Sequence, residues 1–164
     1  MLWQGVGVSI SYKHRRSDHR TPAPERCERS PDDGTAHMAS TFPLEGLHVL
    51  VIEDEALLAF ELVEDLQAVG AVPLGPIATV EKGLEFIETA ERIDAALLNV
   101  MLHRREAFPV ADELRRRGIP FVFVTGNDEA VKARFPGTPV HPKPADMTKI
   151  VLTLVSVVAQ RRRI

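Results

Sequence analysis

Ala95-Ala96-Leu97-Leu98-Asn99 is four apolar residues closed by a single amide. A run this short and this continuously apolar reads as a strand buried on both faces, as in the middle of a parallel sheet. The same pattern recurs on either side of it. His48-Val49-Leu50-Val51-Ile52 is followed by Glu53 and Asp54, and Phe121-Val122-Phe123-Val124 is followed by Thr125. Between these runs the apolar residues fall at helical spacing, so strands and helices alternate from about residue 45 onward.

Five β-α units can be counted. The first strand, 48–52, leads into a helix over 56–69 with Leu58, Leu66 and Val69 toward the sheet, ended by Gly70 as a left-handed cap. The second strand, 72–77, contains Pro73 and Pro76, which suits a sheet edge where a missing N–H is tolerated. Thr79 is placed to cap a helix carrying Val80, Leu84, Phe86 and Ile87. The third strand is 95–99, and a helix over 108–117 is closed by Gly118. The fourth strand, 121–125, precedes a short helix over 128–134, and the fifth is a brief strand at 140–141. Asp146 then caps a final helix running to about residue 160. The expected fold class is α/β, a doubly wound five-stranded parallel sheet with helices on both faces.

Residues 1–44 lack periodic hydrophobicity and carry Pro22, Pro24, Pro31, Gly34 and Pro43 among scattered charges. They read as a disordered N-terminal extension to a domain at 45–164. A start at Met38 is the competing reading. The 164-residue chain is 45% hydrophobic and 26% charged, with a net charge of −3 that offers nucleic acid no general attraction. Its longest apolar run, 150–159, is about half the roughly 20 residues a membrane span needs. The lone Cys27 excludes an intrachain disulfide and fits a reducing cytoplasm. Near the N-terminus the basic residues follow the apolar stretch, the reverse of a secretory signal.

In an open parallel sheet, ligand chemistry belongs at the carboxyl ends of the strands. Four polar positions fall there: Glu53/Asp54, Asn99, Thr125 and, after the fifth strand, Lys143. Two adjacent carboxylates make a hard oxygen site of the kind magnesium takes. A threonine hydroxyl and a mobile ammonium complete a set that positions and stabilises a phosphoryl group. Each part is common alone; the order and spacing together are specific.

Over residues 46–160 the chain resembles the receiver domain of two-component response regulators. The resemblance rests on Val49-Leu50-Val51-Ile52-Glu53-Asp54-Glu55, Asp94 through Leu102, Ile119-Pro120-Phe121-Val122-Phe123-Val124-Thr125-Gly126, and Lys143-Pro144. The third stretch is similar to a receiver subgroup, frequent in bacterial stress signalling, with a Phe-Ala-Thr-Gly-type fourth strand. The resemblance implies a flavodoxin-like sheet of order 2-1-3-4-5. It also implies magnesium ligands at Glu53, Asp54, residue 99 and the Met101 carbonyl, a switch pair of Thr125 and Lys143, and a commonly cis Lys-Pro bond.

Two positions depart from that pattern. Asn99 stands where the family carries its phosphorylated aspartate, and an amide neither attacks phosphorus nor carries charge. Val140 stands where many receivers carry a switch aromatic. The function expected is a degenerate, stand-alone, bacterial and cytoplasmic receiver in two-component or phosphorelay signalling. It would be no enzyme, and would act by protein–protein binding with magnesium weak or absent. Its partner would be a histidine kinase, a phosphotransfer protein, another regulator or a second copy, without nucleic acid or membrane. A phosphorylatable receiver, with Asp54 as acceptor or Asn99 an introduced residue, is the alternative. A flavodoxin-like cofactor carrier comes third, opposed by the acidic loop Glu53-Asp54-Glu55 where a phosphate cradle would lie.

Overall fold

The computed structural model describes residues 43–126 and 129–161. The expected extension therefore lies outside the described residues except at its end. There Leu44 is fully buried and its N–H donates to the Val69 carbonyl at 3.2 Å, so packing begins before residue 45. A turn over residues 43–46 folds this leucine under α1 (Ala56–Ala68), a placement no periodicity announces.

The parallel strands are β1 (His48–Ile52), β2 (Val72–Ile77), β3 (Ala95–Leu98), β6 (Phe121–Thr125) and β7 (Val140–Pro142). They lie in the order β2-β1-β3-β6-β7. This is the expected 2-1-3-4-5, with a small antiparallel pair, β4 (Met101–Leu102) and β5 (Arg105–Glu106), inserted after the third strand. No sequence signal marks that hairpin. Its two turn residues, His103 and Arg104, sit at φ +46° and +67°, where Asn-Gly is the usual choice.

Each central strand splits its side chains between two cores, as a period of two requires. Val49, Val51, Ala95, Leu97, Val122 and Val124 face α1 and α5 (Met147–Arg161), with Leu62, Leu66, Ile150 and Leu154. Leu50, Ile52, Ala96, Leu98, Phe121 and Phe123 face α2 (Val80–Thr89), α3 (Phe108–Arg116) and α4 (Glu129–Arg134). Fully apolar strands are thus the direct result of a sheet covered twice. Aromatic packing fills the second core, with Phe135 5.5 Å from Phe108 and 5.4 Å from Phe123 between ring centroids.

Edge strand β2 carries Gly75 at φ +100°, and a Cβ there would lie 2.9 Å from the Val51 carbonyl oxygen. Both the backbone conformation and the close approach therefore require glycine. Thr79 Oγ1 accepts from Lys82 N–H at 3.4 Å, and Asp146 Oδ1 from Lys149 N–H at 3.2 Å, so both expected caps form.

On α3 the surface carboxylate of Glu113 accepts from Arg116 (2.8 and 2.6 Å) and from Arg117 Nε (2.6 Å). These bonds, those of Arg116 first, lower its pKa to about 2. The folded value lies below the unfolded one, so the stabilisation is complete above the ordinary carboxylate range and fades as pH falls toward 2. Side-chain carbon NMR is expected to show Glu113 titrating near that value, and Arg116→Ala to move it back toward 4.5.

Candidate functional site

The register of the sheet brings the strand ends together. Ile52 pairs with Leu98 and Leu98 with Phe123, so the residues following β1 and β3 emerge side by side. Asn99 N–H donates to the Ile52 carbonyl at 2.8 Å, and Glu53 N–H to that of Ile77 at 2.9 Å. Thr125 pairs with Pro142 at the end of β6, and its carbonyl accepts from Lys143 N–H at 3.2 Å. Glu53, Asn99 and Thr125 are the buried polar residues among those described. All three sit at this edge.

The side chains form one connected network. Asn99 Nδ2 donates to Glu53 Oε1 at 2.9 Å and to the Met101 carbonyl at 2.9 Å, with Asp54 Oδ1 at 3.2 Å. Its Oδ1 accepts from Met101 N–H at 3.4 Å. The opposite amide orientation would aim a carbonyl oxygen at three acceptors, so the network itself fixes which way the amide points. Glu53 Oε1 also accepts from Glu55 N–H at 3.2 Å, and its Oε2 accepts from Lys143 Nζ at 2.9 Å. A carboxylate 2% exposed is thereby compensated by one cation and two N–H donors.

Asp54 is held from the other side. Its Oδ2 accepts from His103 N–H at 2.9 Å and lies 3.3 Å from His103 Nδ1. A non-glycine residue in the left-handed region costs about 1–2 kcal/mol, and this charge-assisted bond offsets that cost for His103. The hairpin turn is thus fastened over the acidic pair. His103 was legible in the sequence only as a histidine near a strand end. Its latch depends on a backbone conformation that its residue type disfavours.

His141 lies away from this network. Its Nε2 is 2.9 Å from Thr153 Oγ1, and burial pushes its pKa down. Val140 is partly buried against the aromatic core. The Lys143-Pro144 bond is cis, as is Gly75-Pro76.

The resemblance implies a magnesium ion among these oxygens. Glu53, Asp54 and Met101 all direct an oxygen at one point, but that point is the Asn99 amide nitrogen, at hydrogen-bond distances. An octahedral ion needs oxygens at roughly 2.0–2.1 Å. A nitrogen bearing two hydrogens takes the central position instead, so this arrangement does not fit the ion.

No protein-family model matches the sequence, and no curated protein matches it. Among solved structures, the chain is similar to SdrG from Sphingomonas melonis Fr1, at 36% identity and a TM-score of 0.60 over 71% of this chain and 98% of that one. A response regulator receiver protein from Sinorhizobium medicae WSM419 aligns over the same shares at 19% identity, with a TM-score of 0.65. The chain belongs to the response regulator receiver family. The receiver domain of a Pseudomonas aeruginosa PAO1 sensor histidine kinase, described with magnesium coordinated in its active site cleft, aligns at 18% identity and a TM-score of 0.61, over 70% of this chain and 98% of its own. In the present receiver the corresponding cleft holds Glu53, Asp54, Asn99, Met101 and Lys143 in mutual contact, with Thr125 joined through the Lys143 backbone.

Proposed function

We propose that this receiver is a cytoplasmic pseudo-receiver of bacterial two-component or phosphorelay signalling, of the Phe-Ala-Thr-Gly-type subgroup. It works by protein–protein binding without phosphorylation, turns over no substrate and needs no magnesium. The single observation supporting this is the Asn99 amide nitrogen among the oxygens of Glu53, Asp54 and Met101. An amide hydrogen-bonded to both carboxylates does part of a cation's work, drawing the oxygens together and screening their repulsion. The position that would attack phosphorus is meanwhile neutral and unreactive.

The surface beside this pocket suits a helical partner. At the start of α1, Leu57 is 68% exposed and Phe60 59% exposed. Phe60 lines a cavity of about 300 Å³ with Ala56, Ala59, Val63, Pro76 and Ala78, reaching Glu53 and Asp54. Exposed large apolar side chains gathered at a rim of charge are the anatomy of an interface. A histidine kinase or phosphotransfer helix lying on α1 would bring its histidine to a pocket that accepts no phosphoryl group.

Acetyl phosphate with magnesium is expected to leave the intact mass of the protein unchanged. Binding to a histidine-containing phosphotransfer domain is expected to be equal with and without a phosphate donor. Phe60→Ala should weaken that binding at least about tenfold, the usual cost of losing a central aromatic anchor. A stable phospho-adduct on the unaltered protein, at Asp54 or elsewhere, would overturn the reading.

A further inference from the structure

The charge carried by α1 opposes the helix that carries it. Leu57, Phe60, Glu61 and Glu64 fall at spacing i, i+3, i+4 and i+7, so they form one outward stripe opposite the buried Ala59, Leu62 and Leu66. Asp65 is exposed beside that stripe. The helix holds three acidic residues and no basic one, and its last turn, the negative end of the dipole, contains no cation. Carboxylates three and four residues apart repel, and those in the second half of a helix oppose its dipole. We infer that the groove on α1 selects a cationic partner helix, whose apolar residue sits on Leu57 and Phe60 and whose Lys or Arg side chains meet Glu61, Glu64 and Asp65. The inference rests on α1 being the partner face, as proposed above, and adds which partners that face accepts.

The observation that names the occupant is that these carboxylates are uncompensated. Glu61, Glu64 and Asp65 form no ion pair or side-chain hydrogen bond with any described residue. Other surface acids of the fold are matched locally. On α3, Asp112 accepts from Arg115 at 2.7 Å and from Arg134 at 2.8 Å, and Glu113 accepts from Arg116 and Arg117. At the head of α5, Asp146 pairs with Lys149 at 3.2 Å. The chain has 20 Lys and Arg residues, so their lack on α1 is a property of this helix and not of the composition.

The apolar half of the stripe restricts the occupant further. The cavity of about 300 Å³ beside Phe60 is lined by no cation, and the acids at its end, Glu53 and Asp54, already accept from Lys143, Asn99 and His103. The unmet charge is therefore that of α1, next to exposed Leu57 and Phe60. Leu57 and Glu64 are about 10 Å apart along the axis, so a complementary helix needs its apolar and basic residues one to two turns apart. Burial of the apolar residues supplies the affinity, and the carboxylates supply the choice, by attracting basic helices and repelling acidic ones. Nucleic acid is refused by the sign of the charge.

The test uses the full chain and a fluorescein-labelled, Ala-based peptide of about 18 residues, long enough to form a helix. It carries two Leu one turn apart and three Lys one to two turns beyond them; a control peptide carries Glu in place of every Lys. The lysine peptide is expected to raise fluorescence anisotropy, to weaken as salt rises from about 20 to 300 mM, and to shift the NMR signals of Leu57, Phe60 and Glu64. Glu61→Lys combined with Glu64→Lys should lower its affinity at least about tenfold and should let the glutamate peptide bind instead. Both positions are exposed, and the exchange relieves the helix dipole, so the variant keeps its fold. The inference is overturned if the two peptides bind the unaltered protein equally, if neither binds, if the shifts map to another face, or if spermine, a cation without an apolar anchor, binds as tightly as the lysine peptide. None of these outcomes concerns phosphorylation, which intact mass with acetyl phosphate reads independently, so charge selection on α1 and the pseudo-receiver reading fail separately.

Discussion

Asn99→Asp is expected to do two opposite things: let the protein take up one phosphoryl group from acetyl phosphate, and make it markedly less stable when magnesium is withheld. The gain follows from chemistry. A carboxylate oxygen can attack phosphorus while the bond to acetate breaks and acetate leaves, whereas an amide cannot. Thr125 is buried at the strand end and Lys143 lies 2.9 Å from Glu53, so a hydroxyl and a cation stand beside the position that would carry the phosphoryl group.

The loss follows from the network. The substitution removes both N–H bonds from Asn99 and sets a third carboxylate against Glu53 Oε1, Asp54 Oδ1 and the Met101 carbonyl. Two like charges about 4 Å apart repel by about 4 kcal/mol at an effective dielectric of 20. Protonation of one carboxyl and the partial exposure of Asp54 relieve part of that. A net destabilisation of about 2–4 kcal/mol remains, a fall in Tm of roughly 8–20 °C for a domain of this size. Magnesium should restore the variant and leave the parent unchanged, because only the variant offers three anionic side chains to the ion. Thermal melts with and without magnesium, read beside intact mass, check both halves. If the variant melts where the parent does without magnesium, the Asn99 amide is not what holds the carboxylates together. If parent and variant label equally, residue 99 does not decide reactivity.

Legibility in the sequence follows the reach of each interaction. The central strands were readable because burial on two faces demands unbroken apolar runs, and Val49 through Ile52 or Phe121 through Val124 satisfy that locally. The strand-end positions were readable because the sheet topology itself brings them together. The hairpin at Met101–Glu106 was not, since it rests on His103 and Arg104 adopting a conformation their side chains disfavour, held by Asp54 from a distant turn. Leu44 was hidden for a related reason, its burial resting on a turn rather than on any period. Nor does the sequence reveal that the Asn99 amide points inward. Its residue type announces that an acceptor is missing, but only the three converging oxygens reveal what the amide does instead.

The same network makes Lys143→Met a second substitution with a large expected cost in stability. Glu53 has a side chain only 1% exposed and, among the described residues, a single cation paired with it, Lys143 Nζ at 2.9 Å. Without it, a buried carboxylate keeps only the Asn99 and Glu55 N–H donors against its desolvation. Breaking one side of a buried pair costs about 3–5 kcal/mol. Lys143 is itself 23% exposed and water can reach its place, so the lower end, about 3 kcal/mol, is the value expected from urea denaturation. Glu53→Gln alone should cost less, because no charge is stranded in the interior. The double variant should be more stable than Lys143→Met by about 1–2 kcal/mol, a coupling that a double-mutant cycle isolates. A loss below about 1 kcal/mol for Lys143→Met would mean that solvent already screens the pair. The cluster would then be held by the Asn99 amide alone, and Asn99→Asp should become the costlier change of the two.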